Sequence, residues 1–327
     1  MDLVDVFPEN PFHPTVKYIA INQTPFSVPW GKNTVRLGKG FNSRQREQDE
    51  FFMKSSPFKD VDNTPLQYRK CQITAIRDES GSSIAYASEN ASFAISGSVG
   101  KGFLSASVTG SLEKSVHNNR NASNISVRAD HICGQIEMLR VPQLDTDAVR
   151  LLNTSSDPII EFQKIYGDFY VAGYRVGAVN DTMISGKLAN KTFFDAKRAV
   201  AEGKVTWAKV HKSINELSAS ASNEGLIRVD AFDSLMDFHS TFSVQTDDDI
   251  VRMGDVAAKN KQRAMTIAAR ATETLWKDFS LGYEDTVYQD VVDHLCDRGL
   301  VTELLLAPFA TLREYQYLLA RRRINMR

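Results

Sequence analysis

Cysteine is scarce in this 327-residue chain, and the three present, Cys71, Cys133 and Cys296, lie far apart with no CxxC pair. An odd, dispersed set excludes a disulfide framework and supplies no zinc-ligand spacing, so the three read as buried thiols. Charge of one sign is missing too: 39 Lys and Arg stand against 40 Asp and Glu, a net charge of −1. That balance removes the general field that would draw a whole chain to nucleic acid. No window approaches the ~18–20 uninterrupted apolar residues of a membrane-spanning helix. The start, MDLVDVFPENPFHP, lacks a basic stretch followed by an apolar run, so the expectation is a soluble chain made in the cytoplasm without a secretory signal.

Catalytic motifs are missing as well. The six histidines form neither HExxH nor a metal-ligand pair at helical spacing, and GxSxG does not occur. Gly100-Lys101-Gly102 falls short of a phosphate loop, which needs Ser or Thr after the lysine and a glycine where Ile95 stands. Asp247-Asp248-Asp249 lacks the alternation of a calcium loop and reads as the cap of a helix beginning at Ile250. Arg321-Arg322-Arg323 suits a solvated helix C-terminus. His131 beside Cys133 is the nearest approach to a base and a nucleophile, and a polar edge position next to a small core residue explains it as well. The expectation is a protein with no enzymatic turnover, no cofactor and no metal.

What is present is pattern. Five prolines among the first 29 residues rule out long helices there. QYRKCQITAI at 67–76, ISVRADHICGQIEML at 125–139 and GLIRVDAF at 225–232 read as strands. Between the first two lies a stretch rich in Ser, Ala and Gly with a period of two. Phe93, Ile95 and Val99 share one face before Gly100-Lys101-Gly102, and Leu104, Val108 and Leu112 share one after it. The alternation describes a two-sided hairpin over 92–112, either an amphipathic membrane hairpin or two strands of a central sheet. Residues 192–216 place apolar side chains at helical spacing, while Val205 and Trp207 would share a strand face. Asp157 and Pro158 open a helix that Gly167 stops. Beyond Asp249 the apolar stripes Ala264/Ile267/Ala271/Leu275/Phe279, Val287/Val291/Leu295 and Leu312/Tyr315/Leu319 read as helix throughout.

The stretch YGDFYVAGYRVGA at 166–178 follows the pattern Tyr/Trp-Gly-x-x-Tyr/Phe, six residues, Gly-Gly. It resembles the signature of the membrane attack complex/perforin (MACPF) superfamily. Tyr166, Gly167, Tyr170 and Gly177 fall on matching positions, Ala178 replaces the second glycine, and Asp168-Phe169 stands where Thr/Ser-His is usual. LGKGFN at 37–42 looks like the superfamily's N-terminal Gly-Tyr-Asn segment, and the likeness covers roughly residues 35–235.

The resemblance implies an α+β fold over residues 1–235, with a bent, twisted four-stranded antiparallel sheet flanked by two helical clusters; residues 236–327 would form a C-terminal helical region. It implies a pore-forming, toxin-like cytolysin that binds a target lipid membrane; the absence of a signal-like start would make its release leaderless. There it would assemble as a homo-oligomeric ring or arc and insert β-hairpins, with room for an unknown receptor or second protein component. The first hairpin would be 92–112. The second would come from 192–224, with Val200, Val205, Trp207 and Val210 as its apolar residues. Tyr166, Gly167, Tyr170, Gly173, Gly177 and Ala178 would form the signature and hinge. The alternative is a MACPF-like protein that binds a membrane or protein partner without perforating anything.

Overall fold

The computed structural model describes residues 23, 25–30, 34–43, 52–81, 123–186, 227–236, 238–244 and 247–325. Within them the strands are β1 (Phe26–Pro29), β2 (Gly40–Phe41), β3 (Leu66–Gly81), β4 (Ser123–Met138), β5 (Phe169–Gly186), β6 (Ile227–Asp233), β7 (Phe238–Val244), β8 (Glu284–Val287) and β9 (Val301–Pro308). The helices are α1 (Thr146–Thr154), α2 (Pro158–Tyr166), α3 (Asp247–Met265), α4 (Ile267–Phe279), α5 (Gln289–Asp297) and α6 (Arg313–Asn325). The class is α+β, with one antiparallel sheet. The sheet exceeds the four strands that the resemblance implies, with nine among the described residues in the order β1-β9-β5-β4-β3-β8. β2 and β6 add to β5, and β7 adds to β6.

Sequence punctuation sets the helix between β4 and β5. The Asp157 carboxylate accepts from Ile160 N at 3.2 Å, Pro158 occupies the first turn, and Gly167 ends the helix at φ 82°. This satisfies end groups that α2 itself leaves open. Phe162 and Tyr166 are buried, whereas Ile159 is exposed, so the buried face of α2 is narrower than its apolar pattern. Phe162, Tyr166, Tyr170, Phe309 and Tyr315 join in an aromatic cluster, with ring centroids 4.9–5.1 Å apart in the contacting pairs. Such pairs add about 0.5–1.5 kcal/mol each beyond the area they bury.

The C-terminal stretch is not helical throughout. Val301–Pro308 is a strand wedged between β1 and β5, and Glu284–Val287 is a strand on the edge of β3. Leu304 and Leu306 enter the same core as Tyr174, Val176 and Leu295. Local propensity in LVTELLLAPF favours helix at its leucines, but pairing on both sides and an apolar sheet face override it. Val287, expected on a helix, belongs to β8. The aspartate triplet forms the first turn of α3 instead of preceding it. Among the described residues no helix is long and apolar enough to cross a membrane.

Candidate functional site at the corner of the sheet

Two segments that lie far apart in the chain, LGKGFN and YGDFY, meet at the start of β5. A Cβ at Gly40 would overlap the carbonyl oxygen of Tyr166, and one at Gly167 would overlap that of Phe41. Gly38 N donates to Val171 O at 2.8 Å, Val171 N to Lys39 O at 3.0 Å, and Asp168 N to Phe41 O at 3.1 Å. The backbones therefore approach as closely as only glycine allows. Asp168, 3% exposed, accepts from Ser43 N at 2.8 Å and from the Ser43 hydroxyl. The departure from the usual signature at this position is thus a buried tie between β5 and the Phe41–Ser43 turn.

Further along β5 the ladder is broken repeatedly. Register shifts occur opposite β9 between Val171 and Gly173 and between Arg175 and Val176. The first reverses the alternation: strict parity puts Tyr170 and Tyr174 on one side, whereas Tyr170 lies in the aromatic cluster and Tyr174 in the main core beside Val171. An inserted residue moves later side chains to the other face. Tyr174 is fully buried; its hydroxyl donates to Val35 O, and burial pushes its pKa well above the usual phenol value.

The breaks then align across three strands. β4 shifts against β5 between Ile132 and Gly134, and β3 shifts against β4 between Lys70 and Ile73. Cys133, Cys71 and Gln72 are the residues left between those pairs, and Gly177 faces Ile132 on the third strand. A Cβ at Gly177 would overlap His131 O, and one at Gly134 would overlap the Tyr68 ring. Bulges bend their strands and increase twist; the two breaks at one level, with Gly177 beside them on the third strand, make a corner across the sheet. Gly177 lies at this corner, and Gly173 at the earlier break opposite β9. Ala178 is fully buried in the main core, its methyl filling space where the signature usually carries glycine. Sequence reasoning missed Gly134 and Tyr68, although a glycine inside the strand pattern HICGQ is a bulge signal.

The corner holds no activated nucleophile. Burial pushes the Cys133 thiol up to about 11 and lowers the His131 imidazole below its ordinary value. The ring of His131 is engaged by Thr74, with 2.7 Å between Oγ1 and Nδ1. A thiol raised by burial is inert as a nucleophile. Among the described residues no group of three or more His, Cys, Asp or Glu is placed to hold a metal.

Above the corner, β3, β4, β5 and β6 continue side by side to one end. Gly81 pairs with Asn124, Ser123 with Gly186, and Gly186 with Ile227. The chain therefore leaves and re-enters the sheet for residues 82–122 and 187–226 at one level. The expected hairpin residues Phe93, Ile95, Val99, Leu104, Val108 and Leu112 lie outside the described residues, as do Val200, Val205, Trp207 and Val210 of the second cluster.

No protein-family model matches the chain, and no curated protein matches it. Among solved structures it is similar to GNIP1Aa from Chromobacterium piscinae, with 13% identity, 92% of this chain and 56% of that one covered, and a TM-score of 0.34. It is similar to a MAC/Perforin-domain protein from Bacteroides thetaiotaomicron at 15% identity, covering 69% of this chain and 53% of that one, with a TM-score of 0.32. A non-hemolytic pneumolysin from Streptococcus pneumoniae matches at 8% identity over 86% of this chain and 58% of that one, with a TM-score of 0.35. The chain spans little more than half the length of each of these proteins. The second carries the domain whose signature the sequence resembles.

Proposed function

We propose that the chain is a pore-forming protein of the MACPF kind, a water-soluble monomer that binds a lipid membrane, oligomerises as a ring or arc and extends β-hairpins from its sheet. The observation that carries this reading is the common level at which Gly81, Ser123, Gly186 and Ile227 stand at one end of four adjacent antiparallel strands. Two insertions leaving at one level can each extend the ladder in register. A membrane strand needs about 9–11 residues, so either insertion is long enough for a two-stranded hairpin. The alternation of 92–112, apolar on one face and largely hydroxyl on the other, meets the barrel requirement of apolar-out and polar-in.

The test is dye release from liposomes of varied lipid composition, read beside negative-stain imaging. Release with rings or arcs is expected; release without them counts against the reading, as does intact dye in every lipid. An engineered disulfide joining the sheet to 92–112 or to 192–224 should silence release when oxidised and restore it when reduced. The non-lytic reading draws on buried Ala178, which stiffens the corner relative to a second glycine; its signature is vesicle binding with the dye retained.

A further inference from the structure

The helical layer over the sheet is attached by two different chemistries on either side of the corner. α4 presents Ile267, Ala271 and Leu275 to the main core, which also holds Ala129, Cys133 and Tyr68. α3 packs on β4, β5, β6 and β7. Among the α3 positions whose side chains are described, the buried ones are Gly254, Ala257, Asn260 and Ala264, with little apolar area among them. Adhesion by the hydrophobic effect scales with that area, so it is strong under α4 and weaker along Gly254–Ala264 of α3.

A closed polar network takes its place. Asp233, the last residue of β6, is fully buried and receives both arms of the Arg270 guanidinium from α4, at 2.7 and 2.9 Å. Asn180 on β5 donates to the Asp233 carboxylate at 2.8 Å and to Asn260 Oδ1 on α3 at 2.8 Å. Asn260 in turn donates to Thr182 Oγ1 at 2.6 Å. Leu235 N donates to the other carboxylate oxygen at 3.1 Å. Asn180, Asn260 and Thr182 are all buried.

We infer that this network is a latch, which holds α3 and the first turns of α4 against the upper sheet in the soluble chain and is built to part. Inside the protein each of these groups requires its partner, since an unpaired buried polar group is costly, so the closed state is specific. Once separated, every one of them is satisfied by water. An apolar interface would have no such open state. The upper strands can therefore be uncovered while α4 stays anchored below the corner through Ala271 and Leu275. The role of the latch in lysis rests on the proposed pore-forming function; its separability does not.

The two are tested apart. In solution, amide hydrogen exchange read by mass spectrometry should show residues 179–186, 227–233 and 247–265 opening as one unit below the global unfolding limit. Asp233→Asn removes the charge that Arg270 grips and should speed exchange of that unit about tenfold or more, leaving 289–312 unchanged. The paired change Asp233→Leu with Arg270→Met, made together with Asn180→Leu and Asn260→Leu so that no buried side-chain amide is left unpaired, substitutes apolar contact and should slow it, because buried ion pairs are often replaced by apolar residues without loss of stability. Equal acceleration throughout the chain, or none in the unit, overturns the latch; if Asp233→Asn does not fold, the wild-type pattern and the paired variant decide. In liposome assays Asp233→Asn should release dye faster and the paired variant more slowly. Unaltered release rates from a lytic wild type overturn the gating role. A wild type that releases nothing refutes the pore-forming reading and leaves the latch to the exchange data.

Discussion

The hydroxyl of Tyr68 donates a 3.0 Å hydrogen bond to the carbonyl of Cys133, the residue at which β4 bulges. Both residues are buried, and the Tyr68 ring lies where a side chain at position 134 would stand. One tyrosine thus satisfies the backbone group that the bulge releases from the ladder and fills the space left by the glycine beside it. Tyr68→Phe keeps the ring and deletes the bond, leaving a buried carbonyl unpaired. The expected loss is about 1–2 kcal/mol in urea denaturation, because an unsatisfied buried acceptor costs more than the net worth of its bond.

Neighbouring positions on β5 should respond very differently. Gly177→Ala forces a methyl into the backbone of His131 and should destabilise the fold by about 1–3 kcal/mol or prevent its formation, as overpacking does. Ala178→Gly creates no clash. It loses a buried methyl and adds backbone freedom, together about 1–2 kcal/mol, and should make dye release faster by loosening the corner. Thermal melts of the two variants, alongside release kinetics for Ala178→Gly, test the pair; unaltered kinetics would remove Ala178 from the hinge.

Asp168→Ala should untie the Phe41–Ser43 turn from β5. Two bonds to a buried carboxylate are lost, and a drop of about 2–3 kcal/mol is expected in equilibrium unfolding. Faster proteolysis within residues 34–43 is the accompanying local readout.

The three thiols should separate cleanly by reactivity. Cys71 is exposed, whereas Cys133 and Cys296 are buried, with burial raising their thiols to about 11 and about 12. An aromatic disulfide reagent at neutral pH should label one thiol quickly and the other two only at the rate of unfolding. Fast labelling of two or more would contradict the packing of β4 or α5.

Burial lowers the imidazole pKa of His131, so the unfolded chain holds that proton more tightly than the folded one. Its contribution is fully present above about pH 6.5, the unfolded value, and is lost as the pH falls through the folded value. His131→Gln should flatten the dependence of Tm on pH below about 6.5 relative to wild type. Parallel profiles would show that His131 does not titrate in that window.

Several elements were legible locally because their signals are local. Asp157, Pro158 and Gly167 state where α2 begins and ends, and the alternation of 67–76, 125–139 and 225–232 marks three strands of the sheet. The glycines at 173 and 177 announced an irregular strand. β9 was not legible, since a leucine-rich run of eight residues suits either helix or strand until partners appear on both sides. The parity of β5 failed for a related reason: an extra residue in one strand is defined only against its neighbour.

By itself, then, the sequence determined the punctuation and period of its elements and, through YGDFYVAGYRVGA, the superfamily it resembles. Chain stops and alternation depend on residues within a few positions of one another, and these can be read along one dimension. Tertiary structure decided the rest. It aligned the bulges at Cys71 and Cys133 with Gly177 into one corner, seated Gly40 against Tyr166, and brought Asp233 of β6 to Arg270 of α4. Those relationships depend on close approach between segments distant in the chain, where steric exclusion and the need to pair every buried polar group select a single arrangement.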